Sequence, residues 1–188
     1  CTSLYSDMNT YIIGSGSAGG GCAGGNDGSI GNNSTIAGDS DMGNASTPTM
    51  WWSIHTPAED GTISYGHYTT HYNSAAGGYS RIVLMDTSGN VLDYSAQEDP
   101  NVDEDRHTHH AEMTNDYCLV SGTSYVVAVW IAADNYAGAA TAGDWGTGES
   151  FYKAGMTWST TSYDLSSPTN ADANRDIYAT LNNSADTP

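Results

Sequence analysis

Positive charge is almost missing from this sequence. Its 188 residues include one lysine, three arginines and 22 acids, a formal charge of −18. A phosphate backbone is repelled by such a chain, which argues against nucleic acid as a partner. Phenylalanine is nearly absent too, one residue against 13 tyrosines and five tryptophans, so most aromatic rings here can be buried while a polar tip stays wet. No apolar run reaches the roughly 18 residues that a membrane helix needs, and no transmembrane segment is expected. No segment sustains the apolar period of a helix either, so little helix is expected. No basic-plus-apolar leader is visible and the first residue is cysteine, which reads as a processed, exported chain. A large net charge keeps a protein soluble and attracts cations. The expected location is extracellular, at a cell surface or on a virion.

Cysteine is scarce and odd in number: Cys1, Cys22 and Cys118. An odd count in an extracellular chain needs an explanation. If Cys1 is the lipid-bearing first residue of a bacterial lipoprotein, Cys22 and Cys118 remain as an even pair. The alternative joins Cys1 to Cys22 and buries Cys118 as a small hydrophobe. The Cys22–Cys118 disulfide is the favoured expectation, and both readings stay open on sequence alone.

What the chain does have is strand-forming residues between turn signals. Residues 1–13, "CTSLYSDMNTYII", carry enough Tyr, Ile and Leu for a strand; "GSGSAGGGCAGG" follows, with seven glycines in twelve residues, and such a stretch resists local order. Residues 1–31 are therefore read as an N-terminal strand with a Gly-rich connector, and residues 32–188 as one β-sandwich domain whose main body starts near Thr49. "SRIVLMD" and "NVLDY" meet through "TSGN", a hairpin signature. "SYVVAVWIA" is apolar on both alternating faces, which suits a central strand covered on two sides. "SFYKAGMTWST" and "RDIYATL" supply later strands. The expected fold is all-β, an antiparallel, jelly-roll-like β-sandwich with a Gly-rich N-terminal extension.

The succession "MWWSIHTPAEDGTISYG", "SRIVLMDTSGNVLDYS" and "CLVSGTSYVVAVW" resembles the bacterial pre-peptidase C-terminal domain and related jelly-roll modules of secreted proteins. The residues that carry the resemblance are Trp51, Trp52, Pro57, Gly61, Asp86, Gly89, Gly122, Thr123 and Tyr125, over roughly residues 50–132. It implies an accessory, adhesive or architectural module and supplies no catalytic residue. The connection over residues 97–114 and the loop "DNYAGAATAGDWGTGES" are departures from that pattern.

Three constellations could carry chemistry. In "RHTHHAEM", residues 106–113, an extended chain puts His107 and His109 on one face and His110 on the other. His67 and His71 share a face of their own strand, so a composite metal site is conceivable. The plain alternative is a polar edge strand beside an acidic loop, and the sequence favours it. "EDPNVDED", residues 98–105, has five acids in eight residues, the oxygen-rich composition that calcium takes, but neither the spacing nor the glycine of an EF-hand. The candidate metal ligands are Asp103, Asp105, His107 and His109, with calcium the candidate ion. Trp145 and Tyr136 are the candidate exposed rings for a glycan ligand, whereas Trp51, Trp130 and Trp158 fall in strand patterns and are assigned to the core. No serine lies in a nucleophile elbow, and no catalytic residue is assigned. The sequons at Asn32, Asn33, Asn44 and Asn182 are candidate glycan acceptors.

Together these features predict a non-enzymatic extracellular subunit of a filament or fibre. Copies of the chain are its expected partner, the N-terminal strand with Leu4, Tyr11, Ile12 and Ile13 completing the sheet edge of a neighbour. The rival readings are a carbohydrate-binding module of a secreted hydrolase and a small metalloenzyme.

Overall fold

A computed structural model describes the backbone of residues 28–32, 40–41, 47–71, 79–98, 106–132, 136–139, 150–170 and 177–182, and the side chains of 47–68, 79–98, 110–132 and 151–169. Among these residues there are twelve strands and no helix. The strands are β1 (Gly28–Asn32), β2 (Ser40–Asp41), β3 (Thr49–His55), β4 (Gly61–His71), β5 (Ser80–Asp86), β6 (Val91–Tyr94), β7 (Arg106–Leu119), β8 (Tyr125–Ile131), β9 (Tyr136–Ala139), β10 (Ser150–Ala154), β11 (Thr169–Asn170) and β12 (Ile177–Asn182). They form two antiparallel sheets, as the alternating strand patterns predict. The first runs β1-β12-β4-β7, with β9 and β2 extending the β12 side near the end of β4. The second runs β11-β10-β3-β8-β5-β6. β1, the first strand of the sandwich, spans the expected boundary at residues 31 and 32.

The centre of the second sheet explains the layering. All seven residues of β8 are buried, because Tyr125, Val127, Val129 and Ile131 face the first sheet while Val126, Ala128 and Trp130 face the other way. A strand apolar on both faces needs cover on both. On the inner side it is packed with Trp51, Ile63, Tyr68, Ile82, Leu84 and Leu119. On the outer side the cover is a strap, residues 155–168, whose Met156 and Tyr163 complete a second core with Met50, Trp52, Val83 and Met85. "SFYKAGMTWST" is therefore one strand only as far as Ala154. Gly155, at φ 75°, turns the chain out of the sheet, and Trp158 ends half-buried against the second core instead of in a strand.

The strap is tied down at both ends and in its middle. Met156 donates its N–H to the Pro48 carbonyl at 3.0 Å, Tyr163 donates to the Gly89 carbonyl at 2.8 Å, and Val91 donates to the Thr161 carbonyl at 2.9 Å. The Lys153 ammonium donates to the Asp164 carboxylate at 2.9 Å and to the carbonyls of Asp164 and Ser166. Gly89 serves two purposes here. It turns the β5–β6 hairpin at φ 86°, and a Cβ at this position would stand 2.1 Å from the Tyr163 carbonyl oxygen.

The two sheets are also sewn together along one side. Ile63 pairs with Tyr117 and Tyr65 with Glu112, so four β7 residues bulge out against Ser64 alone. Those residues reach the second sheet. Thr114 donates its hydroxyl to the Tyr94 carbonyl at 2.6 Å, Asn115 donates its backbone N–H and its amide to the two oxygens of Asp93, and Ser95 bridges to Met113. Burial pushes the Asp93 carboxyl above its ordinary range despite these donors. The opposite side is different. β1 comes closest to β3, and β12 to β8, so β10 and β11 extend past the rim of the first sheet. Among the described residues, nothing continues either sheet beyond β1 or β11.

Gly89→Ala tests the strap. The side chain would be strained at this φ and would push the Tyr163 carbonyl away, at a cost of about 1–3 kcal/mol in stability. Denaturant unfolding should show that loss, with red-shifted tryptophan emission from Trp130 and Trp158 in the folded state.

Candidate functional site

The outer face of the first sheet gathers the polar side chains of β4 and β7. Gly66 and Tyr68 point into the sandwich, where Tyr68 shares a buried hydrogen bond of 2.9 Å with Ser80. At Gly66 the two sheets approach closely: a Cβ there would lie 2.3 Å from Ile82 Cγ2. Alternation then turns Tyr65 and His67 outward. On β7 Ala111 and Met113 are inward and buried, so His110 and Glu112 face outward beside them. The register pairs Tyr65 with Glu112, His67 with His110 and Thr62 with Cys118.

Among the described side chains of this face, the histidine pair makes the shortest polar contact. His67 and His110 approach through Nδ1 at 2.6 Å, with ring centroids 4.7 Å apart and planes inclined by 77°. A contact this short needs one proton between the nitrogens: one imidazole donates Nδ1–H and the other accepts. His67 is buried at 8 % exposure, while His110 is exposed. Burial lowers the pKa of His67 first, and the charge that His110 carries when protonated lowers it further.

This partner is not the one that sequence spacing suggests. His109 stands opposite Tyr68 and His107 opposite Thr70, so the register aligns neither with His67. Which histidine faces His67 depends on the long bulge, and nothing in "RHTHHAEM" reveals it. The side chains of His107 and His109 lie outside the described residues, as do Asp103 and Asp105. Among the described residues no three His, Cys, Asp or Glu side chains converge on one point. Cys118 is half-buried, with Sγ 4.0 Å from the Thr62 hydroxyl. Its expected partner Cys22 lies outside the described residues, as do Leu4, Tyr11, Ile12, Ile13 and Trp145. Tyr136 begins β9 opposite His71; its ring is not described.

A second polar and aromatic group lies on the far side of the molecule, along the strap. The Arg81 guanidinium sits over the Trp158 ring at 4.5 Å. Tyr94 meets Trp158 edge-on at 5.5 Å, and Tyr79 lies 6.2 Å from Trp130 with 41 % of its surface exposed. Sequence reasoning missed this ridge because its rings come from four separate segments. Trp51 and Trp130 are core residues, as expected.

No family model and no curated protein matches the chain. Among the described residues no helix is long and apolar enough to cross a membrane.

The pair can be tested by its titration. In an NMR titration of the imidazoles, His67 should have a midpoint below the ordinary 6.5. His110→Gln should raise that midpoint only in part, because burial is the larger cause.

Proposed function

We propose that this chain is a non-enzymatic, extracellular structural or adhesive subunit that assembles into a filament or fibre by strand exchange between copies. The observation that carries the reading is the inequality of the two sides of the sandwich. On one side Asp93 and Tyr94 of β6 are hydrogen-bonded to Thr114 and Asn115 of β7, which ties the sheets together there. The other has β1 and β11 as its outermost described strands. Unpaired backbone groups on a sheet edge are a template for an added strand. β1 is also the strand into which residues 1–27 lead, so the N-terminal segment joins the sandwich at this same side. A strand from residues 2–13, on its glycine-rich tether, would complete a neighbour's edge and bury Leu4, Tyr11 and Ile12 or Ile13. Each subunit giving its strand to the next makes a head-to-tail contact, which yields a ring or a filament. The resemblance of residues 50–132 to pre-peptidase C-terminal modules agrees with an architectural role.

A Cys22–Cys118 disulfide fits this reading by fixing the base of the tether to the sandwich. Cys118 stands half-buried on β7, opposite Thr62, as the sandwich end of such a bridge. In the chain-entropy model closing a loop of this length contributes on the order of 4 kcal/mol. The ridge of Tyr79, Tyr94, Trp158 and Arg81 favours a second reading, an accessory module whose rings stack on sugars. Retention on a polysaccharide column without self-assembly would select it.

Two experiments test the proposal. Removal of residues 1–13 should leave folded monomers that no longer polymerise; a truncated chain that still forms the native particle contradicts it. Peptide mapping under non-reducing conditions should recover the Cys22 and Cys118 peptides joined, and a Cys118 peptide with a free thiol contradicts the tether.

A further inference from the structure

We propose that His67 and His110 form a two-imidazole binding site for a divalent transition-metal ion on the outer face of the first sheet. The ladder between β4 and β7 fixes both backbones directly opposite each other, so the two side chains need no search to meet. Their Nδ1 atoms already face one another at 2.6 Å. Metal–nitrogen bonds of about 2.0–2.1 Å require cis nitrogens to be about 2.9 Å apart at a right angle and about 3.3 Å apart at a tetrahedral angle. A widening of some tenths of an ångström, with a rotation of one ring that brings both lone pairs onto one point, converts one geometry into the other.

The two residues divide the work. His67, nearly enclosed, is the less mobile ligand. His110, exposed, can turn to open the bite and leaves the remaining coordination positions to solvent. The exchange balances as a tautomer shift: in the neutral pair the donor ring moves its proton from Nδ1 to Nε2 through water, both imidazoles stay neutral, and the cation takes the two Nδ1 lone pairs. Neutral imidazole nitrogen suits copper, zinc and nickel, with copper the strongest binder of the series. The chain's formal charge of −18 raises the local concentration of any cation. With two protein ligands, the site holds an ion at the surface and leaves it accessible to a further donor from solvent or from another molecule.

The test uses the full chain and copper(II) in a non-coordinating buffer. One tight equivalent is expected, with the electron paramagnetic resonance signature of two equatorial imidazole nitrogens. His110→Gln, a change at an exposed position that should not disturb folding, is expected to weaken that equivalent at least about tenfold, because a chelate loses one arm, and to remove one nitrogen from the spectrum. His55→Gln, at a histidine bonded to Ser53 on a different strand, should change neither. Tight copper that His110→Gln leaves unaltered in affinity and spectrum would overturn the assignment, as would a wild-type spectrum without two imidazole nitrogens. Zinc titrated against the imidazole resonances gives an independent check: His67 and His110 should shift first, and a first shift elsewhere counts against the site.

Discussion

Burial of β8 on both of its faces is the constraint from which the rest of this molecule follows. A strand whose seven residues are all buried cannot lie in a two-layer sandwich with one face wet. The first sheet covers one face and the strap of residues 155–168 covers the other. The two cores therefore lie back to back across β8 and its neighbours β3 and β5, which send alternate residues into each. Each fixes its own set of details: Gly66 and the Tyr68–Ser80 hydrogen bond on the inner side, Gly89 and the Lys153 contacts on the outer side. Each fully buried aliphatic side chain of β8 contributes roughly 1.5–3 kcal/mol, so exposing either face costs several such terms.

Much of this was legible in the sequence, for a local reason. "YVVAVWI" shows its double burial in its composition, and "TSGN" shows its hairpin through the glycine at φ 86°. Such signals depend on neighbours in the chain. What was not legible depends on residues far apart. The outer core pairs β8 with a strap about thirty residues later, and an apolar stretch such as "MTW" reads the same whether it continues a strand or leaves the sheet to cover one. The candidate site has the same character. Both histidine segments were visible as strands, but the meeting of His67 with His110 is set by a register, and the register by a bulge over residues that look like ordinary strand. Asp93 illustrates the remaining case: a lone acid in "VLDY" gives no sign that it will be buried as the acceptor that joins two sheets.

The same bulge links fold to function. By sending Thr114 and Asn115 across to β6 it ties the two sheets together along one side. In the proposed assembly, added strands pair at the other side, that of β1 and β11, and two unlike sides give the subunit the direction that a head-to-tail contact requires. The histidine pair lies on an outer face of the first sheet instead of at this rim, so the proposed ion site and the proposed assembly edge are different surfaces.

The most direct measurement of the central claim is the density of the native particle by electron cryomicroscopy, traced at the rim formed by β1 and β11. The account predicts a strand there that belongs to residues 2–13 of a neighbouring subunit and is bonded through its main chain. A rim strand that traces back to the same subunit, or a native particle that is a monomer, would contradict it.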